Sequence, residues 1–338
     1  MDKVKVGVAG FGVIGQRLAD GVALQKDMEL VGVADVAPTL AVKALVERGM
    51  PYDLYAAVPD AVQVLTDAGV PVTGTFDELL DNVDIMLDAT SAGIGAKNKQ
   101  LYEQHGLKAV FQGGEAGEVA DVFFHGYANY ANGVGADYLK LTSCNTTGLI
   151  RAVDCLDKMV GIEKVAITII RRVADPGDTH RGLVDTLQIE PIPNHQAVDL
   201  MSIMPHIDAT GILVHTPVTH GHIITVVATP KRDVTTEEVI EAFKAHPRIR
   251  VVRIADGFDT NTSLFNYARF LGHPRGDMYE VGLFEETVGM SGKDIMFAIN
   301  IPQESVVIPE TIDGIRAALE MQTDRLEGVA LTNQYLGM

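Results

Sequence analysis

Val4-Lys5-Val6-Gly7-Val8-Ala9-Gly10-Phe11-Gly12-Val13-Ile14-Gly15 is the stretch on which the fold turns. Val4 to Ala9 alternates and then runs apolar, as a buried strand does. Gly10-Phe11-Gly12-Val13-Ile14-Gly15 follows at once, and helical apolar spacing resumes through Leu18 and Val22. Strand, glycine turn and helix in that order form the dinucleotide fingerprint. The glycines let the backbone approach a pyrophosphate, which rests on the helix N-terminus. A second strand, Glu29 to Ala34, ends at Asp35, which stands 20 residues after Gly15. An acid there can accept hydrogen bonds from the adenine-ribose hydroxyls, and its charge repels a 2′-phosphate, which favours NAD over NADP. The plainer reading of Asp35 is a turn or helix cap before Pro38.

Outward from this unit, Val83 to Leu87 and Leu107 to Phe111 read as further buried strands. The first ends in Asp88-Ala89-Thr90-Ser91-Ala92-Gly93, with Lys97 and Asn98 opening the next helix; the second ends in Gln112-Gly113-Gly114-Glu115. Small residues at strand ends suit the crevice at the carboxyl edge of a parallel sheet. Residues 39–80 read as mixed helix and turn. The expected fold is α/β: an N-terminal Rossmann dinucleotide-binding domain over 1–140, completed by a C-terminal helix over 303–338, and an α+β catalytic domain over 141–302 with a mostly antiparallel sheet.

The chain has 338 residues, 47% hydrophobic and 21% charged, which predicts a globular protein of two domains. Its net charge of −18 disfavours nucleic-acid and anionic-membrane partners. An anionic substrate would then need a local basic cluster. No signal peptide is expected, since Met1-Asp2-Lys3 leads straight into a strand, and no apolar run is long enough for a transmembrane helix. Two cysteines, Cys144 and Cys155, are too few for a disulfide framework.

Cys144 carries the chemistry. It lies in Leu141-Thr142-Ser143-Cys144-Asn145-Thr146-Thr147-Gly148-Leu149, between the strand Tyr138 to Leu141 and a helix expected over Thr147 to Met159. Unpaired N–H groups and the positive dipole end at a helix start stabilise a thiolate and can hold an oxyanion. The strand order would bring cofactor and thiol to one rim. A buried structural cysteine is the bland alternative.

Past Cys144, a strand over Val165 to Ile170 ends in Arg171-Arg172-Val173-Ala174-Asp175-Pro176-Gly177-Asp178. Adjacent strand residues point to opposite faces, so one arginine is expected at any given site. Asn194-His195-Gln196 reads as a polar loop. His220 and His222 stand two apart on an expected strand, sharing a face as a base and its partner would. Zinc ligation is disfavoured, because no third ligand and no Cys-x-x-Cys accompany them. His206 and His215 read as surface or packing residues. Arg250 to Ala255, Met278 to Phe284 and Asp294 to Asn300 read as strands, and Ile312 to Met321 as the final helix.

At Ser143-Cys144-Asn145-Thr146-Thr147-Gly148-Leu149 the chain resembles glyceraldehyde-3-phosphate dehydrogenase of the archaeal type, and the resemblance covers almost its whole length. It also rests on Gly10 to Gly15, Lys97 to Glu103, Phe111 to Glu115, Arg171-Arg172 with Ala174-Asp175-Pro176, and Gln303-Glu304-Ser305. The resemblance implies that Cys144 is the nucleophile and His220, rather than His222, the base. It implies cofactor contacts at Val13, Ile14, Gly114, Arg172 and Gln303, beside Gly10, Gly12, Gly15 and Asp35. Substrate contacts are implied at Ser143, Asn145 and His195, with Arg171 and Gln196 as further candidates. A homotetramer in the cytoplasm, acting in glycolysis or gluconeogenesis on a phosphorylated aldehyde with inorganic phosphate, is implied as well.

Three departures stand out. Asn194-His195-Gln196-Ala197 replaces the family's usual Ser-His-His-Gly, Asp35 stands where many members carry Thr-Lys and use NADP, and Pro217-Val218-Thr219 replaces Pro-Thr-Thr. The alternatives are an aldehyde or semialdehyde dehydrogenase with another acceptor at deacylation, and a nucleotide-binding protein without turnover.

Overall fold

The computed structural model describes residues 3–112, 114–172, 187–192 and 194–338. The chain divides into two compact units, Met1–Leu141 with Ile308–Met338, and Thr142–Val307.

In the first unit, β1 (Val4–Ala9), α1 (Val13–Ala23) and β2 (Met28–Asp35) form the expected strand–turn–helix–strand. α2 (Leu40–Glu47), β3 (Asp53–Ala56), α3 (Pro59–Asp67), β4 (Gly74–Thr75) and α4 (Phe76–Leu80) follow. The two short strands among them lie where only helix and turn were expected. β5 (Ile85–Asp88), α5 (Gly95–Gln104), β6 (Lys108–Phe111), β7 (Val122–Phe124), α6 (Tyr130–Gly133) and β8 (Tyr138–Leu141) complete this part of the unit. The strands make one sheet in the order β4-β3-β2-β1-β5-β6-β8-β7, parallel at every pairing. Helices cover both faces of such a sheet, which is why β5 is buried along its whole length. Strand order reverses between β1 and β5, the switch point where open α/β sheets bind ligands.

The second unit opens on α7 (Cys144–Val160). It continues through β9 (Ile162–Arg172), β10 (Gln188–Glu190), α8 (His195–Ile203), β11 (Asp208–Thr216) and β12 (His222–Pro230). Then come α9 (Thr236–Ala245), β13 (Ile249–Val252), α10 (Ser263–Phe270), β14 (Val281–Phe284), β15 (Gly289–Ser291) and β16 (Asp294–Ile301). The sheet order is β10-β11-β9-β12-β16-β14-β13, with β15 on β16. β11/β9 and β13/β14 pair in parallel and the other pairs are antiparallel, so the sheet is mixed. One face is covered: Val165, Ile167 and Ile169 of β9 alternate inward, as do Ile224 and Val226 of β12.

α7 runs along that face with most of its residues buried. A Cβ on Gly148 would lie 2.3 Å from Ile301 Cδ1, so the glycine sets how closely the helix approaches β16. Arg151, fully buried, donates to the Tyr279 and Val306 carbonyls at 2.6 Å each and locks the helix in place.

The chain returns to the first unit as α11 (Ile308–Ala318) and α12 (Arg325–Leu336), two helices where one was expected. The buried Arg316 of α11 binds Asp27, Gln25 and Gln322, tying the C-terminal segment to the end of α1. The strand expected over Arg250 to Ala255 stops at Val252, because the next N–H groups, of Ile254 and Ala255, donate to the Glu286 carboxylate instead of a ladder.

Candidate active site

The glycine turn of the first unit divides its work by position. Gly10 has φ +84°, and a Cβ there would lie 2.9 Å from the Ala89 carbonyl oxygen. A Cβ on Gly15 would sit 1.8 Å from the Gly10 oxygen, so only glycine lets α1 pack this close to β1. Gly12 caps α1 and faces open space, as backbone that a pyrophosphate approaches must. Val13 and Ile14 form the first turn of α1 above it.

Beside this turn lies a cleft of ≈ 370 Å³ at the carboxyl ends of β1, β2 and β5, lined by Gly10, Gly12, Asp35, Phe76, Thr90 and Asn98 among others. Among the described residues, its lining includes no lysine or arginine. Asp35 lines the cleft, and its carboxylate is held by three backbone N–H groups. Its Oδ1 accepts the Val36 N–H at 2.7 Å and the Ala37 N–H at 3.3 Å, a turn cap before Pro38. Its Oδ2 accepts the Phe11 N–H at 2.9 Å, pinning the glycine turn, while the residue lines the cleft.

A polar hub that the sequence reading passed over supports the same edge. The buried Asp88 accepts from Asn98 Nδ2 at 2.9 Å and from the Tyr102 hydroxyl at 2.7 Å, and Thr90 also donates to it. Burial first, then the Asp88 charge, push the Tyr102 hydroxyl well above its usual range. The available signal was an acid ending an apolar strand, followed by Asn98 and Tyr102 one helical turn apart.

The thiol stands in the second unit. Ser143 is the N-cap of α7, and its hydroxyl accepts the Thr146 N–H; Cys144 is therefore the first residue of the helix, three earlier than expected. Ser143 Oγ also meets Thr146 Oγ1 at 2.9 Å. Asn145 is buried, and its Oδ1 has no hydrogen-bond partner among the described residues. Thr146 reaches Asp199 of α8 at 3.4 Å. α8 begins at His195 rather than after a polar loop, because Asn194 caps it through the Ala197 N–H at 2.9 Å. Gln196 Nε2 lies 2.6 Å from His195 Nε2, and the buried Gln196 Oε1 has no partner among the described residues.

Cys144 Sγ is 3.6 Å from His222 Nε2, and the two histidines do not share a strand face as expected. The reason is Gly221, at φ +69°. A left-handed residue breaks strand alternation, so His220 and His222 do not share a face; β12 starts only at His222. The turn before it is firmly held. Gly221 N–H donates to Gln303 Oε1 at 2.7 Å, Gln303 Nε2 to the Thr219 carbonyl at 3.5 Å, Asn261 to the His220 carbonyl, and Asn300 to the Asn261 carbonyl at 2.8 Å. Both polar ends of the Gln303 amide thus serve the turn.

His222 is locked in one tautomer. Its Nδ1 accepts the Arg172 backbone N–H at 3.2 Å, so the ring hydrogen sits on Nε2, facing the sulfur. Burial foremost, then the charges of Arg172, Arg171 and His215, hold its pKa well below the usual histidine range. His222 is therefore a neutral donor to sulfur. His220 stacks on Phe265 with ring centroids 4.3 Å apart, and its Nδ1 meets Thr219 Oγ1 at 2.8 Å. Its pKa is lowered, by burial foremost and against the pull of Glu304.

Burial pushes the Cys144 thiol up. Arg171, Arg172 and the N–H groups of Asn145 and Cys144 pull it down by less. The charges of both arginines act on the thiol, while Arg171 and Arg172 stay in register with His215 and Thr216 of β11 to the end of β9. Among the described residues no group of His, Cys, Asp and Glu could hold a metal ion. Gly114 faces open space. Gly113, Pro193 and the stretch 173–186, which includes Ala174-Asp175-Pro176, lie outside the described residues.

A switch-point cleft beneath a glycine turn, and in a second unit a cysteine opening a helix against a histidine, define the class: a two-unit protein of dehydrogenase build with a cysteine centre. Residues 143–264 match the glyceraldehyde 3-phosphate dehydrogenase C-terminal domain, and residues 4–114 match the dihydrodipicolinate reductase N-terminus. The chain is 37% identical to glyceraldehyde-3-phosphate dehydrogenase 2 of Methanosarcina barkeri, covering all of this chain and 99% of that one. It is 38% identical to the glyceraldehyde-3-phosphate dehydrogenase of Hyperthermus butylicus, covering 100% and 98%. Aspartate semialdehyde dehydrogenase II from Vibrio cholerae shares the fold, with a TM-score of 0.64 at 13% identity over 94% of this chain and 99% of that one. The chain belongs to the glyceraldehyde-3-phosphate dehydrogenase family, archaeal type.

Proposed function

We propose that the protein oxidises D-glyceraldehyde 3-phosphate to 1,3-bisphosphoglycerate, using inorganic phosphate and NAD. The observation that carries this reading is the Cys144–His222 contact at the start of α7, in a chain of this family. The cleft fits a dinucleotide: Gly12 leaves the backbone open, Asp35 lines the wall, and no lysine or arginine is among the described residues that line it. That supports NAD over NADP. Bound there through Gly10 to Gly15 and Asp35, the cofactor supplies the hydride acceptor.

The chain's own residues do the rest. The Cys144 thiolate attacks the aldehyde carbon; the C–S bond forms and the carbonyl oxygen becomes an oxyanion. His222 Nε2–H and the N–H groups of Cys144 and Asn145 stabilise the sulfur and that oxygen. The proton that the thiol gave up returns to this oxygen and gives a thiohemiacetal. Its hydroxyl proton then passes to His220 as the hydride departs, leaving a thioester. His220 suits this role because its ring is kept neutral and its Nε2 makes no hydrogen bond to a described residue. Inorganic phosphate attacks the thioester, the C–S bond breaks, and the thiolate returns as the acyl phosphate leaves. Asn145, with its unpartnered buried oxygen, His195, Gln196 and Arg171 are the substrate contacts.

The protein works as a homotetramer in the cytoplasm. The outer face of the second sheet leaves Ile170, Ile212 and Met296 36–44% exposed, an apolar surface that another copy covers. Both cysteines are free, and no helix among the described residues is long and apolar enough to cross a membrane. The test is reduction of NAD and NADP with glyceraldehyde 3-phosphate, with and without inorganic phosphate. Phosphate-dependent turnover, faster with NAD, is expected. Turnover indifferent to phosphate indicates an aldehyde dehydrogenase with another acyl acceptor and overturns the phosphorolysis step.

A further inference from the structure

Three side chains from three strands stand in a row at the thiol end of the second sheet. Leu213 of β11, Ile169 of β9 and Ile224 of β12 are registered neighbours on the covered face. Two residues further along each strand come His215, Arg171 and His222, which project from that same face. His215 is the direct cross-strand neighbour of Arg171. On its other side β10 brings Glu190, whose Oε1 accepts from His215 Nε2 at 2.6 Å. Neither His215 nor Glu190 has a part in the chemistry above.

Glu190 sits among cations. Its carboxyl is held below the usual range by the His215 hydrogen bond first, against burial, and then by the charges of His215, His195 and Arg171. Arg171 acts in turn on both Cys144 and His222. In a chain of net charge −18, the basic side chains Arg171, His195 and His215 thus gather at the Glu190 carboxylate.

We propose that His215, oriented by Glu190, is a phosphate-binding residue of the active site, acting beside Arg171. The Glu190 contact takes the Nε2 hydrogen and fixes the ring; Nδ1 donates to an anion when the ring carries its second proton, a form that the Glu190 carboxylate and a bound phosphate both favour. The half-buried His215–Glu190 contact contributes only modestly to stability by itself. Set in register with Arg171, the same pair builds a second donor at a fixed spacing from the thiol row. The inference rests on the reading of the reaction as one on a phosphorylated aldehyde with inorganic phosphate. The shared ligand chemistry is a phosphate dianion, either the ester group of the aldehyde or the attacking inorganic ion.

The experiment measures alkylation of Cys144 by iodoacetamide against rising inorganic phosphate, in the wild type, His215→Gln and Glu190→Gln. Steady-state KM values for aldehyde and phosphate are taken in parallel, and thermal melting confirms that each variant is folded. Phosphate is expected to slow alkylation of the wild type, and His215→Gln to need about tenfold more phosphate for the same protection, the loss of one charge-assisted hydrogen bond. Glu190→Gln should fall between the two. A rise in the KM for phosphate assigns the residue to the inorganic ion, and a rise in that for aldehyde to the ester. Equal protection of wild type and His215→Gln, or none in the wild type, overturns the proposal. His215-dependent protection without turnover leaves the anion site standing and fails the reaction; normal turnover with unchanged protection does the reverse.

Discussion

The nucleotide cleft and the thiol end of the second sheet are encoded in opposite ways. The cleft is made by neighbours in sequence: Gly10, Gly12 and Gly15 lie in one turn, and Asp35 ends the next strand. The thiol end joins Cys144 to His222 across 78 residues, and His222 to Arg172 across 50. A local motif carries its geometry with it, because each glycine's role follows from the turn it sits in. A distant pair depends on sheet register, and here on one left-handed glycine that decides which of two histidines faces the sulfur. The cleft is therefore robust to rereading, while the thiol end changes roles when one backbone angle is known.

The sharpest way to break the comparison is at the nucleophile. Cys144→Ser should lower aldehyde oxidation by about 10³-fold or more, since an alkoxide is far harder to form than a thiolate; dinucleotide binding, followed by cofactor fluorescence quenching, should be unchanged. Gly221→Ala comes next. The φ of +69° costs an alanine about 1–2 kcal/mol, and its Cβ would lie 2.4 Å from the Asn261 carbonyl oxygen. We expect a lower Tm and about tenfold slower turnover, because the turn that sets both histidines must shift. In the cleft, Asp35→Asn should raise the NADP-to-NAD ratio of kcat/KM by about tenfold, from removal of one like charge near a 2′-phosphate. An unchanged ratio would reduce Asp35 to its turn cap. The smallest effect is in pH dependence. Burial raises the Cys144 thiol, so alkylation should climb with pH through a midpoint above that of a free cysteine. His222 should add no step near about pH 6, because its ring is held neutral there.

Much of the fold was legible because strong periodicity and glycine punctuation mark the parallel sheet. β3 and β4 were not, since strands of four and two residues are too short to show alternation. α7 starting at Cys144 was hidden because Asn145, Thr146 and Thr147 are buried polar residues, which break the apolar pattern of a helix start. His195 and Gln196 read as loop for the same reason, although Asn194 is a regular N-cap. His215 was dismissed as packing because only the β11/β9 register puts it beside Arg171. The choice between His220 and His222 needed the Gly221 angle and the Arg172 N–H, neither of which is visible in residue types.

The central claim is that His222, not His220, is the donor that serves the Cys144 sulfur. The direct measurement is the rate of iodoacetamide alkylation across pH, without substrate, in the wild type, His222→Asn and His220→Asn, each checked for folding by thermal melting. Loss of the Nε2–H donor should move the alkylation midpoint upward in His222→Asn and leave it in place in His220→Asn. A midpoint that moves in His220→Asn and stays in His222→Asn would contradict the account.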